Sequence, residues 1–167
     1  MNGMTQHLKN FLFPKVTRKF LVRVGVVAAL AFVLFRFITV PAKIQGKSME
    51  PRYRDGALIL YLPWMRYVKE PEINDIVLVR LAGNRVMLIK RIVALPGDTV
   101  EWKNGRLIRN GNPVNEPYVV FNENWTLDKV EVPENNVYVV GDNRGMPLEN
   151  HDFGYTSQKR IAGYPLW

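Results

Sequence analysis

The sequence of 167 residues contains no cysteine and only two histidines, His7 and His151. The absence of cysteine excludes disulfide bonds, thiolate metal sites and a cysteine nucleophile. Two histidines are too few for a histidine-rich metal site, so we expect no metal ion and no cofactor. A serine–histidine–aspartate triad would have to use His151, and that alternative stays open.

Residues 1–40 also lack aspartate and glutamate, although they carry six lysines and arginines. They supply +6 of the formal net charge of +8, and the rest of the chain is close to neutral. A nucleic-acid-binding protein needs a basic face on its folded domain, so we expect no nucleic-acid partner. A basic arm beside an apolar segment indicates an anionic membrane surface instead.

The apolar segment is FLVRVGVVAALAFVLFRFITV, residues 20–40. Its uncharged part, Val24–Phe35, is too short to cross a bilayer alone, because a span needs about 20 residues. The flanks complete the span if Arg23 and Arg36 extend their charged ends to the two interfaces. A surface amphipathic helix is disfavoured because the run is apolar on all sides.

The cations before this segment predict a cytoplasmic N-terminus. We therefore expect residues 1–19 to be a basic cytoplasmic arm, 20–40 a single-pass transmembrane anchor in the plasma (inner) membrane, and 41–167 an extracytoplasmic domain. A cleavable signal peptide is the alternative, since Val40-Pro41-Ala42 places small residues where cleavage would need them.

The domain after the anchor is predicted to be mainly β and to form one unit. Asn104-Gly105 and Asn110-Gly111 predict hairpin turns on either side of a short strand, Arg106–Arg109. Tyr118–Glu134 fits either an extended loop or an irregular strand pair. Runs of β-branched and aromatic residues predict the other strands, Ala57–Leu62, Asp75–Leu81, Val86–Leu95, Val100–Lys103 and Val137–Val140.

Gly46-Lys47-Ser48-Met49-Glu50-Pro51 is the first segment that could carry chemistry. A serine between Gly46 and Pro51 lies in a stretch not expected to be helical, so its hydroxyl can be exposed and its N–H can face a substrate. Most serines in such turns only hydrogen-bond the backbone. This segment alone therefore does not establish a nucleophile.

Lys90 and Arg91 form the second candidate, because two cations stand inside an apolar strand. Neighbouring residues of a strand face opposite sides, so one of the two must point toward the core. An apolar environment lowers the pKa of a lysine, which can then act as a base, whereas arginine keeps its proton. An edge strand with extended aliphatic stems remains the alternative.

Three segments in this order, behind an N-terminal apolar run, resemble the type I signal peptidases. They are Ser48-Met49-x-Pro51, Lys90-Arg91-x-x-x-Leu95-Pro96-Gly97-Asp98 and Gly141-Asp142-Asn143-Arg144. The stretch NGNPVNEPY, residues 110–118, is also similar to the family's NG-x-P-V-x-E-P-Y text. The resemblance covers nearly the whole chain, and the ordered set is far more specific than any one piece.

The resemblance implies a membrane-bound serine endopeptidase whose β-rich, signal-peptidase-like catalytic domain is built of antiparallel sheets. Such an enzyme removes N-terminal signal peptides from exported preproteins after a small-x-small motif, so its partners would be those peptides and the lipid bilayer. Ser48 would be the nucleophile and Lys90 its general base.

The resemblance also implies where a substrate binds. An added β-strand would lie between the stretch leading into Ser48 and the stretch leading into Lys90. The Ser48 N–H would stabilise the oxyanion, and Gly46 stands where some relatives offer a serine hydroxyl as a second donor. The expected shallow apolar pockets involve Ile44, Met49, Leu88 and Ile89. Structural roles are expected for Pro51, Arg91, Gly97, Asp98, Gly141, Asp142, Asn143 and Arg144.

The sequence departs from the family pattern after Arg144. Many relatives have serine, aspartate and arginine where this chain has Pro147, Glu149 and His151. Pro147 cannot hydrogen-bond the catalytic lysine as that serine is thought to do. A water or another hydroxyl would have to substitute, and Glu149 with His151 would form a different acid–base pair.

Three other functions remain open. One is a specialised peptidase that processes a single secreted or pilin-type substrate with the same chemistry. Another is a self-cleaving repressor, which the anchor and the lack of a recognisable DNA-binding region disfavour. The third is a non-catalytic, membrane-tethered β-domain that binds extended peptides, and Pro147 is its best support.

Overall fold

The computed structural model describes residues 16–80 and 87–167, apart from the side chain of Phe37. The chain divides into two compact units, with the boundary between Ile38 and Thr39. Most of the predicted basic arm, residues 1–15, lies outside the described residues, as do the predicted strand ends Leu81 and Val86.

One α-helix, α1, spans Arg18–Ile38. It begins where the Thr17 hydroxyl accepts the Phe20 N–H at 3.2 Å, which satisfies a free donor of the first turn. Arg36 lies in the last turn, where a cation complements the helix dipole. The helix ends two residues before the predicted segment does, because Val40 opens the first strand. Within the described part of the chain, no helix has the length and hydropathy that a membrane crossing requires.

The second unit is mainly β, as predicted, and its strands pair antiparallel. A seven-stranded sheet has the order β1-β2-β11-β3-β4-β9-β10, and a four-stranded sheet has the order β7-β6-β5-β8. The strands are β1 Val40–Lys43, β2 Leu58–Leu62, β3 Ile76–Arg80, β4 Met87–Ala94, β5 Thr99–Lys103, β6 Arg106–Arg109, β7 Asn112–Pro113, β8 Leu127–Glu131, β9 Asn136–Val140, β10 Gly154–Ser157 and β11 Ile161–Pro165.

The predicted strands correspond to β2, β3, β4, β5, β6 and β9, with ends shifted by one residue in most cases. Both Asn-Gly turns join hairpin strands with positive φ at each central residue, 51° and 75° at Asn104-Gly105. The ambiguous stretch 118–134 is a loop that leads into β8. Strand β1 was not predicted, and Pro41 is tolerated in it because β1 is an edge strand.

Three clusters of buried side chains hold the β unit together. One joins the small sheet to β4 and β9 through Trp102, Leu107 and Tyr138. A second packs Ile44 and Met49, which flank Ser48, against the larger sheet. The third covers the other face of that sheet around β3, β4 and β9. The central strand β4 is therefore enclosed on both faces.

We expect Leu107→Ala to lower the free energy of unfolding by about 2–5 kcal/mol, because it leaves a cavity beside Trp102. Urea denaturation followed by tryptophan fluorescence measures the change. Val130→Ala is the matched control, since Val130 is 37% exposed on β8 of the same sheet. Equal losses in the two variants would contradict the assignment of the core.

Candidate active site

Ser48 lies in a turn within the loop, residues 44–57, that connects β1 to β2. The Glu50 N–H donates to the Lys47 carbonyl at 3.1 Å, and the Tyr53 N–H donates to the Met49 carbonyl at 2.9 Å. The Met49 side chain is completely buried and anchors the turn in the core. Ser48 itself stays half-buried, so its hydroxyl is fixed in place but remains reachable.

Lys90 and Arg91 lie on opposite faces of β4, and both are buried. Lys90 is 2% exposed and Arg91 is 6% exposed. The alternation of a strand requires at least one of them to face the interior. Because β4 is covered on both sides, both cations are almost completely buried, and each needs its own means of stabilisation.

The Lys90 Nζ lies 3.0 Å from the Ser48 Oγ, a hydrogen-bonding distance. As an ammonium, Lys90 donates to the hydroxyl oxygen, and as a neutral amine it accepts the hydroxyl proton. Burial disfavours the ammonium and lowers the pKa of Lys90 to about 8, although the Asp152 carboxylate works in the opposite direction. A large share of Lys90 is therefore a neutral base at mildly alkaline pH.

Arg91 is stabilised in a different way, by a paired carboxylate. Its Nε and Nη2 donate to the two oxygens of Asp142 at 2.8 and 2.6 Å. Its Nη1 donates to the Asn74 carbonyl at 2.9 Å, and the guanidinium lies over the Tyr118 ring at 3.8 Å. A bidentate pair of this kind fixes geometry as well as charge.

The loop that contains Asp142 also holds the serine. The Asn143 N–H donates to the Ser48 carbonyl at 2.9 Å, and the Asn143 Nδ2 donates to the Lys47 carbonyl at 3.1 Å. Gly141 is required by this close approach, because a Cβ there would lie 2.1 Å from the Ser48 carbonyl oxygen. The loop and the serine turn are thus joined backbone to backbone.

A second buried ion pair supports the same loop. Arg144 is 1% exposed, and it donates to both carboxylate oxygens of Glu116 at 3.0 and 2.6 Å. Its Nε donates to the Gly141 carbonyl at 2.8 Å. The Tyr118 hydroxyl donates to Glu116 at 2.7 Å, which joins this pair to the ring beneath Arg91.

Gly97 and Asp98, two other predicted structural residues, lie in the turn between β4 and β5. Asp98 accepts the Leu95 N–H at 2.9 Å and the Asn110 Nδ2 at 2.6 Å, and the Gly97 N–H donates to the Val132 carbonyl. This turn ties the end of β4 to the small sheet. Pro51 is exposed in the turn that follows Ser48.

The predicted pocket residues lie in different environments. Ile44, Met49 and Ile89 pack together in one buried cluster. Leu88 lines a cavity with Lys90, on the other side of the strand. Gly46 is exposed, and its N–H donates to Asp55 at 2.9 Å.

The departures after Arg144 have simple structural outcomes. Pro147 is exposed and precedes a short 3-10 turn, Leu148–Asn150. The expected pair of Glu149 and His151 was wrong, because Glu149 is exposed while the His151 Nε2 contacts the Asn143 carbonyl at 3.2 Å. Burial, with the nearby Lys90 charge, lowers the pKa of His151 to about 4. Among the described residues, the contact to Ser48 Oγ comes from Lys90 and not from His151.

Two carboxylates close to the site, Glu116 and Asp152, were not among the predicted site residues. Glu116 was quoted only as part of the stretch 110–118, whose similarity to the family text was the available signal. Asp152 carried no signal, since its approach to Lys90 depends on the path of the loop before β10.

Comparisons with known proteins agree on one family. The family model described as "Signal peptidase, peptidase S26" matches residues 17–165. Signal peptidase I of Bacillus licheniformis is 32% identical over 93% of this chain and 87% of its own length. Signal peptidase I S of Bacillus subtilis is 35% identical over 83% of this chain and 80% of its own length. Signal peptidase I of Bacillus amyloliquefaciens is 34% identical over 83% and 80%, respectively.

We expect Asp142→Ala to lower the free energy of unfolding by about 3–5 kcal/mol, because it leaves Arg91 buried without its carboxylate. Urea denaturation measures the loss. The matched control is Lys103→Ala, which removes a 63% exposed lysine from its pair with Glu101 and should cost at most about 1 kcal/mol. A loss in Asp142→Ala no larger than that of the control would show that the buried pair is not a structural requirement.

Proposed function

This chain belongs to the signal peptidase family, peptidase S26, and on that premise we propose that it removes N-terminal signal peptides with Ser48 as nucleophile and Lys90 as general base. Members of this family are serine endopeptidases. The observation that carries the assignment of the two residues is the 3.0 Å approach of a buried lysine amine to a half-buried serine hydroxyl.

The proposed reaction begins with a proton transfer. The neutral amine of Lys90 accepts the proton of the Ser48 hydroxyl while Oγ attacks the scissile carbonyl. The Lys90 ammonium then protonates the leaving amine, and the mature protein departs from an acyl-serine. Lys90, neutral again, activates the water that hydrolyses the ester. A histidine is not needed, because burial has already brought the pKa of the lysine to about 8.

The Ser48 N–H is our proposed oxyanion donor. Within the described residues, this N–H makes no hydrogen bond, whereas the carbonyl of the same residue accepts the Asn143 N–H. A free, rigidly held donor beside the nucleophile suits the negative charge that develops on the substrate oxygen. Asn143 would therefore act as a positioning residue for the oxyanion site.

The substrate would bind as an added β-strand along the edge strand β1. Ile44 leads from β1 into the serine turn and packs with Met49 and Ile89 in one cluster. Because these three side chains are buried, we propose that the substrate pockets above them are shallow and admit small side chains only, as cleavage after a small-x-small motif requires. The same geometry suits a peptidase with one dedicated substrate, and a survey of preproteins separates the two.

We also propose that α1 holds the chain to a lipid bilayer, with the N-terminus in the cytoplasm and the β unit on the extracytoplasmic face of the plasma (inner) membrane. Large apolar side chains are exposed all along the helix, among them Leu21, Val27, Phe32 and Phe35. Five cations precede the uncharged run Val24–Phe35, one follows it, and residues 1–40 contain no acidic residue, which favours this orientation.

Ser48→Ala and Lys90→Ala should each reduce cleavage of a preprotein with an Ala-x-Ala site by at least about 1,000-fold. In the unchanged chain, kcat/KM should rise about tenfold per pH unit below pH 8 and level off above it, because only the neutral lysine accepts the proton. Initial rates between pH 6 and 10 measure both effects.

Lys47→Ala is the matched control for these two variants, since Lys47 is an exposed lysine next to the nucleophile. It should keep most of the rate and the same pH dependence. If Lys90→Ala were folded and fully active, another base would operate, and His151 would be examined next.

The chain should remain in the membrane pellet after extraction with alkaline carbonate, and detergent should release it. Protease added outside intact spheroplasts should digest the β unit, because that unit lies on the outer face. A chain lacking residues 1–38 is the comparison. Release of the full chain by carbonate alone would contradict the proposed anchor.

A further inference from the structure

Lys90 faces an open cavity of about 160 Å³ on its face of β4. Such a volume with a partly polar lining has room for water. The cavity reaches from β3 and β4 across β9 to the loop before β10. The charged and hydroxyl groups that line it are Lys90, Asp152, Tyr155, Thr156 and Arg160.

The described lining of the cavity contains two cations, Lys90 and Arg160, and one carboxylate. Among the described residues that line the cavity, Asp152 is the only carboxylate, and it is exposed at the solvent side. Arg160 is the second cation of the lining. His151 lies close enough for its charge and that of Lys90 to repel, but burial keeps this imidazole neutral above pH 4. Asp152 is thus the group that can compensate a positive charge on Lys90.

The amine of Lys90 needs more than one partner. An ammonium has three N–H donors, and the Ser48 Oγ is the single hydrogen-bond partner found within the described residues. Pro147 offers no side-chain hydroxyl or amide. Lys90 and Asp152 line the same cavity, so the donors not directed at Ser48 can face a space that also holds a carboxylate.

We infer that Asp152 is a positioning residue for Lys90 and acts on it across this cavity. Its carboxylate orients the amine toward Ser48 and stabilises the ammonium that forms when Lys90 takes the serine proton. Asp152 remains a carboxylate throughout, since the proton moves only from Ser48 Oγ to Lys90 Nζ and then to the leaving amine. This inference rests on the proposed role of Lys90 as the base.

The sign of the effect follows from electrostatics. A nearby negative charge favours the ammonium and keeps the pKa of Lys90 higher than burial alone would set it. Removal of that charge should lower the pKa and make the base available at lower pH. The same removal leaves the Lys90 amine less well oriented toward Ser48. The plateau of the pH–rate profile should therefore fall, and its rising part at low pH, the acid limb, should move to lower pH.

The test compares Asp152→Asn with Glu149→Gln in the full chain, by kcat and kcat/KM for an Ala-x-Ala preprotein between pH 6 and 10. Glu149 is an exposed carboxylate of the same loop that does not line the cavity, so its variant removes the same charge elsewhere. In Asp152→Asn the acid limb should move down by ~0.2–0.7 pH units, the range for an exposed charge pair.

The plateau of kcat should also fall several-fold in Asp152→Asn. Glu149→Gln should match the unchanged chain in both respects, and Asp152→Glu should restore the acid limb. The shift should shrink in 1 M salt, because screening weakens an interaction that reaches solvent. Circular dichroism spectra of the three variants establish that each is folded.

If Lys90→Ala is inactive and neither Asp152→Asn nor Glu149→Gln shifts the acid limb, the inference is overturned. An equal shift in both variants would also overturn it, since a general charge effect would then suffice. If Lys90→Ala were active with an unchanged profile, the proposed function of Lys90 would fail first, and the two failures are therefore distinguishable.

Discussion

The burial of two neighbouring cations in one central strand is the constraint on which the rest of this structure depends. A sheet covered on both faces leaves Lys90 only 2% exposed and Arg91 only 6% exposed. An arginine cannot release its proton, so it must be paired, and Asp142 does this with two hydrogen bonds. A lysine can release its proton, and burial without a directly bonded carboxylate lowers the pKa of Lys90 to about 8.

The two solutions are coupled through one loop. The Asp142 that pairs with Arg91 is followed by Asn143, which holds the backbone of Ser48 and Lys47. The ion pair of Arg144 with Glu116 stabilises the same loop. The ion pair on one face of β4 therefore positions the serine that meets the amine on the other face. Stability and the geometry of the site have the same origin.

Much of this could be predicted from the sequence, because the relevant signals are local. Runs of β-branched residues and the Asn-Gly turns predicted six strands. The alternation of side chains along β4 required that Lys90 or Arg91 face the core. The short strands β1, β10 and β11 were missed, since they contain proline or glycine and gain their pairing only from distant neighbours. Burial of both cations also escaped prediction, because it needs the second layer of the fold. The position of Asp152 depends on the course of a whole loop, which no short pattern encodes.

The central claim is that Lys90 is a lysine of low pKa that meets Ser48, and an NMR titration of the lysine side chains tests it most directly. In protein labelled with ¹³C and ¹⁵N at lysine, the side-chain signals are followed between pH 6 and 11, and Lys90→Met assigns the signal of interest. The account predicts one lysine that titrates near pH 8, absent from Lys90→Met, with exposed lysines near ~10.4. If the signal lost in Lys90→Met titrated with the exposed lysines instead, the buried neutral base would be contradicted.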